Sequence, residues 1–358
     1  MSLNAVSTFR LAVNGTQSDI PSVTVVIPCY NEERFIGRAL ERLALQYELS
    51  RYEIIVVDGL STDRTREVID CFKADHPSLN LRVLMNPSRA IPAALNIGIR
   101  AATGKVIARM DAHAAPSPNY IRRCVEVLTG TGAGIVGMPC RVTPGANTVI
   151  ARAIAAAVSH PFGIGDAKYR LQTSETNQQS VDTVAFACFH KSLWVAMAGY
   201  DESLLTNEDY DFNYRVKLSG KEVLLDQSEY TNYYARSTIG GLAKQYARYG
   251  SWKARMVLKH PASIKIRHLI APLFVLSLVV LLVVGILFPI AWWLLLFELG
   301  LYLLLGLVFG VTLAQKTRNG VLSPLVMPIT FLTIHSVWGA SFILGLFIGR
   351  KSSSETTV

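Results

Sequence analysis

The sequence predicts an α/β fold: a mostly parallel sheet with helices on both faces, then a basic amphipathic helix, then C-terminal transmembrane helices. Three observations carry this. Short apolar runs at 23–27, 54–57, 81–85 and 106–110 alternate with segments of helical period, as in β-α-β units with right-handed crossovers. Between Leu269 and Gln315 the sole charged residue is Glu298, too long and too apolar a stretch for a soluble core helix. Between these two parts, residues 236–267 hold eight Lys/Arg and no Asp/Glu.

In order, residues 1–20 form a flexible polar lead-in without the apolar core of a secretory signal. The first strand, 23–27, stops at Pro28. Asn31 then caps a helix whose start Glu32 and Glu33 favour, with Ile36, Ala39, Leu40 and Leu43 on its inner face. Strand 54–57 ends in Asp58, and a turn over 59–63 leads into helix 65–72. Strand 81–85 and helix 92–102 follow. Strand 106–110 then delivers Asp111 and His113 to the carboxyl edge of the sheet, where such sheets bind ligands. Helices are expected over 118–130, 148–159 and 191–198, and strands over 134–139 and 181–188. Residues 163–180 read as a long polar loop of the lid type. A helix spans 208–218, and 222–225 and 230–235 read as edge strands.

Beyond them, Leu242, Tyr246, Tyr249 and Met256 share one helical stripe, and Lys244, Arg248, Arg255 and Lys259 another, which describes an interfacial helix. Residues 269–288 and 294–314 are of membrane length, with Trp292 and Trp293 between them as interface aromatics. Glu298 sits inside the second, either snorkelling to the interface or touching an acceptor lipid or partner. Lys316 and Arg318 mark a cytoplasmic loop. A third apolar stretch, 321–348, carries Pro324 and Pro328. If it spans, Arg350 and Lys351 lie outside, against the positive-inside rule, so re-entry stays open. The chain divides into a lead-in (1–20), a catalytic domain (21–235), a basic interfacial segment (236–268), two to three membrane helices (269–349) and a polar tail (350–358).

The net charge of +9 is almost all local to 236–267. A basic segment beside a membrane helix is attracted to anionic lipid at the cytoplasmic leaflet. No nucleic-acid motif accompanies it. The five cysteines are scattered without a C-x-x-C, which fits reduced thiols rather than disulfides or zinc.

Two clusters offer chemistry. A carboxylate and an imidazole two residues apart, Asp111 and His113, suit a divalent ion held against a diphosphate; a capping Asp beside a surface His is the bland alternative. The acidic run from Glu208 to Asp211 is by itself an ordinary set of helix-dipole partners.

Three ordered motifs change the weighting: Val25-Val26-Ile27-Pro28-Cys29-Tyr30-Asn31-Glu32, Asp58-Gly59-Leu60-Ser61-Thr62-Asp63, and Asp111-Ala112-His113. Together they resemble family 2 glycosyltransferases of the GT-A (Rossmann-like) fold over roughly residues 21–235. The runs Arg109-Met110-Asp111-Ala112-His113 and His160-Pro161-Phe162-Gly163 are most similar to the branch that includes a succinoglycan-biosynthesis glucosyltransferase. The resemblance implies that Pro28, Tyr30, Glu32 and Asp58 line a nucleotide pocket, Asp58 on the uracil ring. Asp111 and His113 would hold Mn²⁺ or Mg²⁺, with His113 where a second Asp is usual, and Asp111 would also face the nucleotide sugar. The family's second Asp after Asp58 is here Gly59. Asp209 would be the catalytic base and Glu208 its companion. Gln245, Arg248 and Tyr249 resemble the Gln-x-x-Arg-Trp of processive synthases and would meet an acceptor sugar.

The expectation is thus a membrane-anchored, inverting, metal-dependent hexosyltransferase at the cytoplasmic face of the plasma membrane. It would move one hexose, glucose by analogy, from a UDP-sugar to a polyprenyl-diphosphate-linked saccharide in exopolysaccharide synthesis. A polyprenyl-phosphate hexose synthase, a processive synthase and a catalytically dead scaffold are the alternatives. The sugar, the linkage, the polymer and the oligomeric state are not written in the residues.

Overall fold

Val25, Val26 and Ile27 are fully buried, and such burial is worth roughly 1.5–3 kcal/mol per large side chain; this run therefore lies in the middle of the sheet. The structure, a computed structural model, describes residues 22–47, 51–171, 178–316 and 324–354. The lead-in 1–20, Arg318 and the last residues of the tail lie outside the described residues.

The chain begins β1 (Val23–Cys29), α1 (Ile36–Ala44), β2 (Tyr52–Asp58), α2 (Thr65–Asp75), β3 (Asn80–Met85), α3 (Ile91–Ala101) and β4 (Val106–Arg109). It continues through β5 (Ala115–Pro116), α4 (Tyr120–Thr131), β6 (Ile135–Gly137), β7 (Cys140–Thr143), α5 (Val149–Ala157) and α6 (Pro161–Ile164). Then come β8 (Gln178–Ser180), β9 (Cys188–His190), α7 (Lys191–Ala196), α8 (Glu208–Leu218), β10 (Val223–Asp226) and β11 (Thr231–Tyr234). Four helices close the chain: α9 (Ile239–Lys259), α10 (Arg267–Val284), α11 (Ile290–Lys316) and α12 (Val326–Ser354).

The main sheet has the order β3-β2-β1-β4-β9-β6-β10-β8. Its β3-β2-β1-β4 half is parallel, while β9 and β8 run antiparallel to their neighbours. The chain winds outward from β1 to β3 and then returns to β1's other side as β4, so the topological switch lies between β1 and β4. Ile36, Leu40, Ile69, Tyr120 and Leu128 cover one face; Leu95, Ile99, Phe212 and Val216 cover the other. A small sheet, β5-β11-β7, stands beside it.

Several expectations are corrected. Asn31 does not cap α1: it takes a left-handed φ of 55°, and its side-chain oxygen accepts the Thr62 N–H at 2.8 Å, while the helix starts at Ile36. The strand expected over 181–188 is only Cys188–His190, because Asp182 is drawn to Lys265 and Arg267 and Thr183 to Asn213. The strands near 222 and 231 are not edges: β10 sits between β6 and β8, and β11 between β5 and β7. The expected loop over 163–180 includes the end of α6, a 3-10 turn at Lys168–Arg170 and β8; residues 172–177 lie outside the described residues.

α9 begins at Thr238, whose hydroxyl accepts the Gly241 N–H at 3.1 Å, a regular N-cap. Leu242, Tyr246 and Met256 are buried as the stripe requires. Their cover is largely protein. Leu242 and Tyr246 join Met327, Phe331 and Ile334 of α12 in one apolar cluster. Further along, Gly250 meets the Trp338 carbonyl and Gly345 meets Ser251 and Ala254. α12 thus runs beside α9, helix against helix at glycine contacts. Arg267–Val284, Ile290–Gln315 and Val326–Ile348 are each long and apolar enough to cross a membrane, by length and composition. Glu298 of α11 accepts a hydrogen bond from Ser277 of α10 at 2.6 Å, so its partner is the neighbouring helix.

Candidate active site

The carboxyl ends of β1, β2 and β4 supply the first half of the site, as the switch point predicts. Pro28 and Tyr30 leave β1, Asp58 ends β2, and Asp111 follows β4. Tyr30 is partly exposed, packs over Gly59 and lies under the Arg89 guanidinium at 5.2 Å. The turn after β2 is tied to the turn after β1: Asn31 N–H donates to Ser61 Oγ and Glu32 N–H to Thr65 Oγ1. Asp58 is fully buried, accepting from Ser61 Oγ at 2.5 Å and Arg66 Nε at 2.6 Å. Its carboxylate therefore holds the turn, and contact with a base requires Ser61 or Arg66 to give way.

His113 Nδ1 lies 3.0 Å from Glu32 Oε1. That hydrogen bond, above all, raises the imidazole pKa; burial opposes it and Asp111 adds to it. In the neutral ring with Nδ1–H given to Glu32, the Nε2 lone pair is free, the orienting arrangement of metal-ligating histidines. Asp111 stays partly exposed. Carboxylate and imidazole thus fit a divalent ion, whose remaining ligands would have to come from water or a bound anion. Among the described residues no third His, Cys, Asp or Glu completes a protein-only metal cage.

The second half of the site comes from α8. Its first turn carries Glu208, Asp209 and Asp211 beside the positive helix end. Asp211 is buried and fixes the helix, bonded to Arg215 Nε at 2.7 Å and His260 Nε2 at 2.9 Å. Glu208 and Asp209 face Arg109, the last residue of β4. The Arg109 Nη2 atom lies 3.0 Å from Glu208 and 3.4 Å from Asp111, and Nη1 lies 4.0 Å from Asp209. Burial opposes the Arg109 charge, but Asp111, Glu208 and Asp209 outweigh it and raise its pKa. Three carboxylates share one guanidinium, so the deepest takes up a proton most readily. Burial raises the pKa of Glu208, Arg109 resists this, and Asp209 adds to the rise. The Glu208 side chain is 6% exposed and that of Asp209 33%, so Asp209 is the more open of the two carboxylates.

A cavity of about 700 Å³ opens from Asp111 and Asp209. Its lining also includes Tyr169, Arg170, Tyr233, Tyr249 and Lys253, and Phe274, Tyr302 and Trp338 of α10, α11 and α12. Of the donor-side residues expected from sequence, Asp111 alone also lines this cavity, so the site divides there. Arg248 and Tyr249 line it, whereas Gln245 stands behind, its Nε2 donating to Tyr233 Oη at 2.8 Å and Tyr249 Oη at 2.9 Å. Sequence reasoning passed over Arg109, Arg170 and Lys253 as site residues. The one available signal was a cation inside the otherwise apolar Val106–Arg109 strand.

A sheet of this order, with carboxylates gathered at its switch point, is that of the GT-A fold. At 20% identity the fold matches the mannosyltransferase PcManGT from Pyrobaculum calidifontis, solved with GDP-Man and Mn²⁺, with a TM-score of 0.60 over 92% of this chain and 88% of that one. The chain belongs to glycosyltransferase family 2: the model described as Glycosyl transferase family 2 matches residues 24–195, and a full-length relative agrees. That relative is the succinoglycan biosynthesis protein ExoA of Rhizobium meliloti (strain 1021), 30% identical over 323 residues, 90% of this chain and 94% of that protein. A dolichyl N-acetyl-alpha-D-glucosaminyl phosphate 3-beta-D-2,3-diacetamido-2,3-dideoxy-beta-D-glucuronosyltransferase of Methanococcus voltae is 25% identical over 338 residues, 92% of this chain and 98% of that one.

Proposed function

We propose that this glycosyltransferase moves a single hexose from a UDP-sugar to a saccharide carried on a polyprenyl diphosphate, at the cytoplasmic face of the plasma membrane, during exopolysaccharide synthesis. The observation that carries the reading is the cavity, which joins Asp209 to the apolar helices α10, α11 and α12. A water-soluble acceptor has no use for such a route; a lipid-linked one does. The relatives support it by name, one in succinoglycan biosynthesis and the other acting on a dolichyl-linked sugar phosphate.

In this reading the uridine lies against Pro28 and Tyr30 near Asp58, and the diphosphate faces Asp111, with His113 oriented by Glu32. A divalent cation held by Asp111 and His113 would neutralise charge on the departing diphosphate. Asp209 accepts the proton of the acceptor hydroxyl as its oxygen attacks the anomeric carbon opposite the leaving UDP. The sugar–oxygen bond to UDP breaks as the new glycosidic bond forms, with inversion. Arg109 keeps Glu208 and Asp209 in register. Tyr249, braced by Gln245, offers an apolar face to the acceptor sugar, and Arg248 lies next to it.

The test is a panel of sugar nucleotides with purified enzyme and polyprenyl-diphosphate saccharides, polyprenyl phosphate, or neither. Mass analysis of the lipid product should show one added hexose at completion. Transfer to polyprenyl phosphate itself, or a ladder of longer products, would replace this reading with a lipid-phosphate or processive one.

A further inference from the structure

Lys253 lies in the middle of α9 yet is only 5% exposed. Its ammonium has no hydrogen-bond partner and makes no ion pair among the described residues. It sits 3.5 Å from the centre of the Tyr210 ring, the residue next to Asp209, and it lines the cavity. Neighbouring cations are neutralised: Arg267 pairs with Asp166 and Asp182, and Lys265 with Asp182. Burial, with Arg267 adding to it, pulls the Lys253 pKa down to about 7. A lysine held this way costs stability that a leucine or methionine would not. The Tyr210 face recovers a part through its π-electrons but satisfies none of the three N–H donors.

Its position identifies what the donors face. Lys253 lies on Tyr210, which follows Asp209 in α8, and Tyr210 in turn neighbours His268 and His268 neighbours Trp338; Ile270, Ala271, Phe274 and Trp338 give the cavity its apolar lining. A ligand spanning this point changes there from polar to hydrocarbon. We infer that Lys253 is the recognition point for the phosphate group that joins the acceptor's sugar to its lipid. This rests on the lipid-linked acceptor proposed above, and it places the phosphate contact on a buried cation. The anion supplies the charge partner that the protein withholds, and Lys253 draws the lipid's phosphate to the one depth at which the sugar reaches Asp209.

The probes are farnesyl diphosphate, farnesol and inorganic diphosphate, titrated against the full-length enzyme in detergent. Wild type should prefer farnesyl diphosphate to farnesol by about 10–100-fold, the worth of one charge-assisted contact, and should bind inorganic diphosphate more weakly than the prenyl form. Lys253→Met should erase the preference without lowering thermal stability, and should raise the acceptor KM while UDP-sugar hydrolysis continues. Lys253→Arg should restore part of it. The inference is overturned if wild type binds farnesyl diphosphate and farnesol alike, or if Lys253→Met and Lys253→Gln, both folded, keep the preference. If those variants keep it while wild type glycosylates a polyprenyl-diphosphate saccharide, the subsite alone is wrong. If wild type glycosylates no lipid-linked acceptor, the proposed function fails and takes the subsite with it.

Discussion

The Arg109 guanidinium lies 3.0 Å from the Glu208 carboxylate, and both side chains are buried. This pair joins the end of a central strand to the start of the helix that carries Asp209. Breaking a buried pair from one side typically costs about 3–5 kcal/mol, so Arg109→Leu should fold poorly. Glu208→Gln keeps the shape and removes one of three crowded carboxylates, so it should fold well and lose turnover. Thermal melts and kcat measurements on the two variants check the contrast.

Glu208 also sets a pH dependence. Its folded pKa stands above the ordinary carboxylate value, so the folded state holds a proton that the unfolded state has lost. Its contribution to stability is complete below the unfolded pKa and is lost as pH rises through the folded one. The slope in that window is at most ~1.4 kcal/mol per pH unit. Melting temperature followed upward from pH 4.5 should decline less steeply in Glu208→Gln than in the parent.

Asp209→Asn removes the proton acceptor with little change in shape. Turnover should fall by roughly 10²–10⁴-fold, while UDP-sugar affinity, measured by titration, stays near that of the parent. Near-normal turnover would take Asp209 out of the mechanism.

Asp111→Ala should abolish transfer, and chelation should silence the parent enzyme. Glu32→Gln should leave the fold intact and weaken activation by Mn²⁺ by about 10–100-fold, as loss of an orienting partner does. Metal titrations read it directly; full activity in excess chelator would remove the cation from the scheme.

A Cβ at Gly250 would lie 2.4 Å from the Trp338 carbonyl. Gly250→Leu should therefore push α12 off α9, an overpacking cost of about 1–3 kcal/mol. Donor hydrolysis should persist and transfer to lipid acceptor should fall. Equal loss of both would show that the seam supports the whole domain.

The parallel half-sheet was legible because each strand is a short apolar run closed by a turn, and because Asp58 and Asp111 fall at strand ends. Residues 181–187 misled: Val181, Val184 and Phe186 are buried like strand residues, but ion pairs at Asp182 and the left-handed φ of 49° at Phe186 break the ladder. The cavity beside Asp209 was not legible. Its walls come from residues near 169, 233, 253, 274, 302 and 338, and no local pattern announces that such distant segments meet. Lys253 reads in sequence as one more cation on a basic helix; only the packing of α9 against α12 and α8 shows it to be enclosed.

The same packing gives synthesis of the chain a sequence of events. Every residue proposed to hold the donor lies before residue 114, whereas the far wall of the cavity is made by Ile334, His335 and Trp338. A ribosome that has released the first 235 residues has made the strands and all the proposed donor residues, while the cavity walls supplied by α9 to α12 do not yet exist. Leu242 and Tyr246 of α9 can meet Ala153 and Ile154 of α5 at once, but Met327, Phe331 and Ile334 of α12, which complete their cluster, emerge some eighty residues later. If the acceptor is the lipid-linked saccharide proposed above, the membrane surface can cover the rest of that face in the interval, and the enzyme meets its acceptor before it can use it.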